Sequence, residues 1–176
     1  PPGSKSFFQV EEEVFFALGA DDDVVTADFS GLALGPTSAA EISGENNNKQ
    51  KTIQKEVSFQ GAALHTGFKS KLKLIPASNN KGIVFVRKDI KKKNIIKASW
   101  NNVSNTKLCT TISNKFGMTV STIEHLMSAI SALQIDNLKI EVSGPELPIL
   151  DGSSKIYFKK ISDIGIVSQE KNKQFI

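Results

Sequence analysis

Between Ile123 and Leu133 the apolar residues fall at helical spacing. Ile123, Leu126, Met127, Ile130 and Leu133 lie on one stripe, which predicts an amphipathic helix. Ser121-x-x-Glu124 opens it with the pattern of a capping box, a hydroxyl cap answered three residues later by a carboxylate. Asp136-Asn137 is expected to break the helix. Leu138, Ile140 and Val142 then alternate with Lys139, Glu141 and Ser143, the signature of a strand buried on one face, and Gly144-Pro145 ends it shortly before Pro148. Upstream, Ile53, Val57 and Phe59 predict a strand ending at Gly61, and Leu64 to Gly67 a turn. Leu72 and Leu74 alternate with lysines in a strand closed by Pro76, and Gly82 to Val86 is a short apolar strand. Leu108–Ile112 and Met118–Val120 are expected to pair around Asn114–Gly117. After Gly152, Ser153 or Ser154 caps a second helix that buries Ile156, Tyr157 and Ile161. Strands, a helix, a strand and a helix in this order predict an α+β fold in which two helices cover one face of one sheet.

Charge divides the chain in a way the pattern does not. The formal net charge of +4 conceals nine acids against one base, Lys5, in residues 1–48, and nine acids against 21 bases in residues 49–176. Composition shifts at the same place, from Ala, Gly and Ser to Lys, Asn and Ile, so Ser43–Asn48 reads as a boundary. Residues 1–48 are then an acidic extension and 49–176 the folded domain. Within the extension, Val10–Leu18 suggests a short helix or strand and Gly31–Gly44 a loop. Glu11–Glu13 and Asp21–Asp23 read as solvated charge runs rather than a cation site. Lys91–Lys93 reads as an exposed loop. The basic surplus of the domain lacks the aromatic interleaving or motif that would point to nucleic acid. No apolar run approaches the roughly 20 residues of a membrane span, and no basic start leads into an apolar stretch as in a secretory signal. Cys109 is the single cysteine, which excludes an internal disulfide and permits a reducing cytoplasm.

The adjacent pair Glu124-His125 carries the candidate chemistry. One reading makes Glu124 a capping residue and His125 a half-buried surface residue. The other makes His125 a metal ligand and Glu124 a carboxylate that moves protons beside it. A lone histidine does not hold a catalytic zinc, which normally takes three protein ligands.

The blocks LHTG at 64–67, KLCTTI at 107–112, STIEHLMSAISAL at 121–133, IDNLKIEV at 135–142 and GPELPILDGSS at 144–154 follow one another in this order. Together, across about Lys49 to Ile176, they resemble the N-terminal half of the bacterial UDP-3-O-acyl-N-acetylglucosamine deacetylases. The resemblance implies a cytoplasmic bacterial enzyme of lipid A biosynthesis. It would hydrolyse the N-acetyl group of UDP-3-O-(3-hydroxyacyl)-N-acetylglucosamine with zinc (Zn2+), and would not span a membrane or bind nucleic acid. The implied fold is two similar α+β domains packed face to face around the site, of which this is the first. Residue by residue, the resemblance makes His125 a zinc ligand and Glu124 the general base. It places Leu64, Leu108 and Cys109 near the sugar end of the substrate and His65 near the site. Asp151 and Gly152 match a structural turn in which Asp151 satisfies backbone donors. The family takes a further His and Asp ligand from a His-Lys-x-x-Asp-type block in its second domain, together with the acid histidine, the acyl passage and most nucleotide contacts. His65 and His125 are the only histidines here. Without that C-terminal domain the chain is expected to be catalytically incomplete. The alternative is a non-catalytic binding or interaction module that reuses the half-fold.

Overall fold

The computed structural model describes residues 48–173, together with two short strands, β1 (Gln9–Val10) and β2 (Glu13–Val14), which pair antiparallel. The rest of the Val10–Leu18 element, the loop at 31–44, Glu11, Glu12, Asp21–Asp23 and the boundary up to Asn47 lie outside the described residues.

A mixed sheet of five strands organises the domain. Its order is β4 (Val57–Ala62), β5 (Lys69–Pro76), β11 (Leu138–Val142), β6 (Ile83–Arg87) and β7 (Ile95–Lys97). Only β6 and β11 run parallel. Register places Val57, Leu74, Ile140, Phe85 and Ile96 in one row across all five strands. All five are buried, as the period-2 alternation requires. The opposite face carries Lys73, Lys139 and Glu141, joined with Glu56 and Lys88 in surface ion pairs. Helices α1 (Glu124–Ala132) and α2 (Lys155–Asp163) pack against each other. They close the apolar face with Ile123, Leu126, Ala129, Ile130, Tyr157 and Ile161. The α+β reading with two helices on one sheet therefore holds. Two smaller pairings flank it: a ribbon of β3 (Lys49–Ile53) with β12 (Ile166–Asn172), and a three-stranded sheet of β8 (Val103–Asn105), β9 (Thr111–Ser113) and β10 (Thr119–Val120).

Several local expectations change. The single strand from Ile53 to Gly61 is two strands in different sheets. Ile53 pairs with Ile166, whereas Val57 pairs with Leu74, and the polar run Gln54-Lys55-Glu56 makes the crossing. Leu108 falls outside β9, which begins at Thr111 and pairs with β10 around Asn114–Gly117 as expected. The capping box does not form. Glu124 is itself the first helical residue, Ile123 occupies the cap position, and no side chain caps the helix. Ser121 is instead drawn into a bridge with Glu146, and its Oγ accepts a hydrogen bond from the Thr111 hydroxyl at 3.0 Å. Helix α1 ends before Asp136, where Gln134 turns left-handed at φ 54°. In α2, Ser154 holds the cap position without a side-chain cap bond, and Ser153 Oγ accepts the Lys155 amide at 3.1 Å. Ile156 is exposed rather than buried, because Tyr157 and Ile161, four residues apart, define the inward stripe. Lys91–Lys93 are exposed as expected.

Asp136 and Asn137 bind β3 to the sheet. Asp136 Oδ2 accepts the Lys51 amide at 2.7 Å. The buried Asn137 side chain accepts the amides of Lys81 and Gly82, each at 2.8 Å, and donates to Gln50 and Gln169, again at 2.8 Å. These bonds fix the start of β11, and hence the far end of α1.

Candidate functional site

Three segments meet at the first turn of α1. The apolar stripe sets that turn: Ile123, Leu126 and Ile130 face the sheet, which leaves Glu124 and His125 half-buried beside it. Thr122, just before the helix, is buried with φ 58°. The left-handed region is costly for a β-branched residue, and surrounding contacts must hold it there. Glu124 Oε2 accepts the backbone N–H of Thr110 at 3.0 Å. That bond fixes one carboxylate oxygen. The His125 ring makes no hydrogen bond among the described residues.

The Thr110 bond brings the second segment to Glu124. Leu108 stands out with 82% of its surface exposed and φ 69°. A left-handed, solvent-facing leucine gains nothing from packing, and it costs about 1–2 kcal/mol of backbone energy. Leu108 shares this left-handed backbone with five other non-glycine residues, Asn80, Lys93, Thr122, Gln134 and Leu150. Cys109, the residue after Leu108, is buried, with Sγ 3.8 Å from the Thr111 hydroxyl. The Thr110 hydroxyl is also buried and has no partner among the described residues.

The third segment is the turn Leu64–Gly67 between β4 and β5. It closes on itself through the Ala63 amide to the Phe68 carbonyl at 2.9 Å and the Gly67 amide to the Ala63 carbonyl at 3.1 Å. Gly67 takes φ 64°, which only glycine adopts without strain. Leu64 and His65 are both exposed. Glu146 ties this turn to α1. Its Oε1 accepts the His65 amide at 2.9 Å and the Thr122 hydroxyl at 3.0 Å. Its Oε2 accepts the Thr66 amide at 3.0 Å and the Thr66 hydroxyl at 2.7 Å. Burial opposes the charge, but these donors outweigh it and hold the carboxyl below its ordinary range.

Hydrogen bonds made by Thr110 to Glu124, and by His65, Thr66 and Thr122 to Glu146, thus link the segments that bear Leu64, His65, Leu108, Cys109, Glu124 and His125, with the two leucines and His65 exposed and the cysteine buried. Asp151 and Gly152 stand apart as a turn. Asp151 Oδ1 accepts the Ser153 amide at 3.1 Å and hydroxyl at 3.0 Å, and these bonds lower its carboxyl. Glu146 escaped the sequence reading. Its signal was a single acid between Gly144-Pro145 and Leu147-Pro148, a setting that leaves a carboxylate little room to reach water. A surface groove lies elsewhere, on the outer sheet face among Lys71, Lys73, Lys88 and Glu141. Ion pairs satisfy Lys73, Lys88 and Glu141 there, as on a solvated face.

No group of three or more His, Cys, Asp or Glu able to hold a metal occurs among the described residues. The first turn of α1 offers one imidazole with a carboxylate beside it, which by itself does not fit a catalytic zinc. No helix among the described residues is long and apolar enough to cross a membrane.

Residues 50–176 match the family model described as UDP-3-O-acyl N-acetylglycosamine deacetylase. A protein of Haemophilus ducreyi named UDP-3-O-acyl-N-acetylglucosamine deacetylase is 45% identical over 128 residues, covering 73% of this chain and 42% of the relative. Proteins of the same name from Brucella melitensis and Brucella ovis are 41% identical over 130 residues, covering 74% of this chain and 45% of theirs. The chain therefore spans less than half the length of these relatives. Every residue singled out above falls within the matched part.

Proposed function

Because the chain belongs to the UDP-3-O-acyl N-acetylglycosamine deacetylase family, we propose that residues 49–176 supply the N-terminal half of a zinc-dependent amide hydrolase. The substrate would be UDP-3-O-(3-hydroxyacyl)-N-acetylglucosamine, and the reaction the loss of its N-acetyl group on the way to lipid A in the bacterial cytoplasm. The observation that carries this reading is the start of α1. Glu124 is held by one oxygen on the Thr110 amide and is adjacent in sequence to His125, whose ring makes no hydrogen bond among the described residues.

In this reading Glu124 is the general base. Its fixed orientation is what proton transfer needs, because a base must meet the attacking water at hydrogen-bond distance. His125 would supply one zinc ligand, and the remaining ligands would come from outside the described residues, as would the acid that protonates the leaving amine. Leu64 and Leu108 present apolar surface to the substrate, and His65 a polar edge. The Thr110 amide steers the carboxylate and leaves its second oxygen for water. Residues 49–176 alone should therefore bind zinc weakly and release no acetate.

The test complements the chain, fused or in trans, with the C-terminal part of the Haemophilus ducreyi relative and measures acetate release from the UDP-sugar. Acetate should appear only with both parts present, vanish on chelation and return with zinc. Acetate release by the 176-residue chain alone would overturn the half-site argument. A complemented protein that folds and binds zinc yet releases none would favour a non-catalytic module.

A further inference from the structure

Among the described residues Glu146 is the only buried carboxylate, with 1% of its surface exposed. Taking a carboxylate out of water costs several kcal/mol unless it is fully paired, and an apolar side chain would fill the same space at less cost. Glu146 is paired, but not by a cation: all four donors are amides and hydroxyls. Three belong to His65 and Thr66, and the fourth is Thr122, which carries its strained backbone immediately before Ile123 and α1. Glu146 itself is seated rigidly. The Ser121 amide donates to the Pro145 carbonyl at 2.9 Å, and the Leu147 amide to the Ser121 carbonyl at 3.1 Å, so both of its neighbours are pinned to the strand leading into α1. The remaining hydrogen bonds of the Leu64–Gly67 turn close within its own hairpin.

We infer that Glu146 is a positioning residue: it locks the turn bearing Leu64 and His65 against the first turn of α1, and so sets where substrate lies relative to Glu124 and His125. The clamp stands on geometry alone, while its effect on substrate rests on the deacetylase reading. Isolated, the turn would be a short exposed hairpin loop with the freedom such loops have. Clamped, it presents His65 in one place without a contribution from the substrate's own binding energy.

Glu146→Gln is the discriminating variant. Its amide has one oxygen and one NH2 in place of two oxygens. Hydroxyls can rotate to accept, but backbone N–H groups cannot, so either orientation sets an NH2 against the amide of His65 or Thr66. Hydrogen exchange of the whole chain should quicken at those two amides by about 10- to 100-fold, the loss expected for a bond to a charged acceptor. The sheet amides of Leu74 and Ile140 should be unchanged. In the complemented enzyme KM for the UDP-sugar should rise about 10-fold, with kcat nearly constant and zinc content unaltered, the pattern of lost binding that substrate and transition state share. Thr66→Val removes one donor from the exposed turn and should shift exchange and KM the same way by less; it carries both arms if Glu146→Gln fails to fold. Unchanged exchange at His65 and Thr66 would overturn the clamp. Faster exchange with an unchanged KM in both variants would overturn the positioning role. Absence of turnover in the parent would count against the deacetylase reading alone, and exchange would still decide the clamp.

Discussion

Replacing Asn137 with alanine perturbs the join between the β3–β12 ribbon and the main sheet without touching the site. The side chain is 1% exposed and makes four hydrogen bonds, two to backbone amides and two to glutamine side chains. A neutral hydrogen bond contributes a net of about 0.5–1.5 kcal/mol, and stranding a buried partner costs about 1–3 kcal/mol. Lys81 and Gly82 are exposed, so water can reach their amides, and Gln50 Oε1 keeps the Asn80 amide, so the lower part of the net range applies to each of the four bonds. The expected loss is therefore about 3 kcal/mol, within a range of about 2–4. For a domain of this size it lowers Tm by roughly 10 °C. Urea unfolding followed by fluorescence and by far-UV circular dichroism should show a lower midpoint, an unchanged slope and coincident transitions. A loss below about 1 kcal/mol would mean that water replaces the side chain and that the network is not a structural joint. A changed slope would mean that the ribbon unfolds separately.

Three further outcomes follow from the same contacts. Tyr157→Phe removes a buried hydroxyl that donates to the Pro148 carbonyl at 2.6 Å, and should cost about 1–2 kcal/mol in urea unfolding; burial holds the phenol above its ordinary range, so no change should appear on raising pH to 10. The carboxyls of Asp89, beside Arg87, and of Glu146 lie below their ordinary ranges. Groups depressed in the folded state contribute stability above their unfolded values, near pH 4, that is lost as pH falls through the folded ones. The urea midpoint should thus hold steady from pH 6 to 8 and fall below about pH 4, with a shallower fall in Glu146→Gln. Removing residues 1–46, which the composition break at Ser43–Asn48 sets off from the domain, should leave the unfolding free energy within about 0.5 kcal/mol, and calorimetry of both forms checks it.

The sequence made the architecture legible where burial is periodic. The stripe from Ile123 to Leu133 and the alternation from Leu138 to Val142 are one-sided patterns, and the helix and strand formed where they fall. What misled was local chemistry with two outlets. Ser121 and Glu124 have the spacing of a capping box, yet Thr122 turns left-handed between them, and each finds a partner in β9 or the residue preceding it. Asp136-Asn137 looked like a helix stop, but Gln134 turns left-handed first and those two side chains bind β3, β12 and the turn before β6 instead. Periodicity carries no information about such long-range polar contacts. Glu146 was missed for the same reason: its partners lie 80 and 24 residues away. Glu124-His125 was found because both groups are adjacent in sequence, so the helix alone brings them together.

The central claim is that Glu124 acts as a base and does not merely seat a loop. Glu124→Gln in the complemented enzyme addresses it directly, because the glutamine oxygen can still accept the Thr110 amide while the basic oxygen is lost. Turnover of the UDP-sugar, zinc content and urea midpoint should be measured on one preparation. Turnover should fall by about 10²- to 10⁴-fold, the usual contribution of general-base catalysis, while zinc content and midpoint stay at parent values. Turnover at the parent rate would contradict the assignment and leave Glu124 as a structural partner of Thr110.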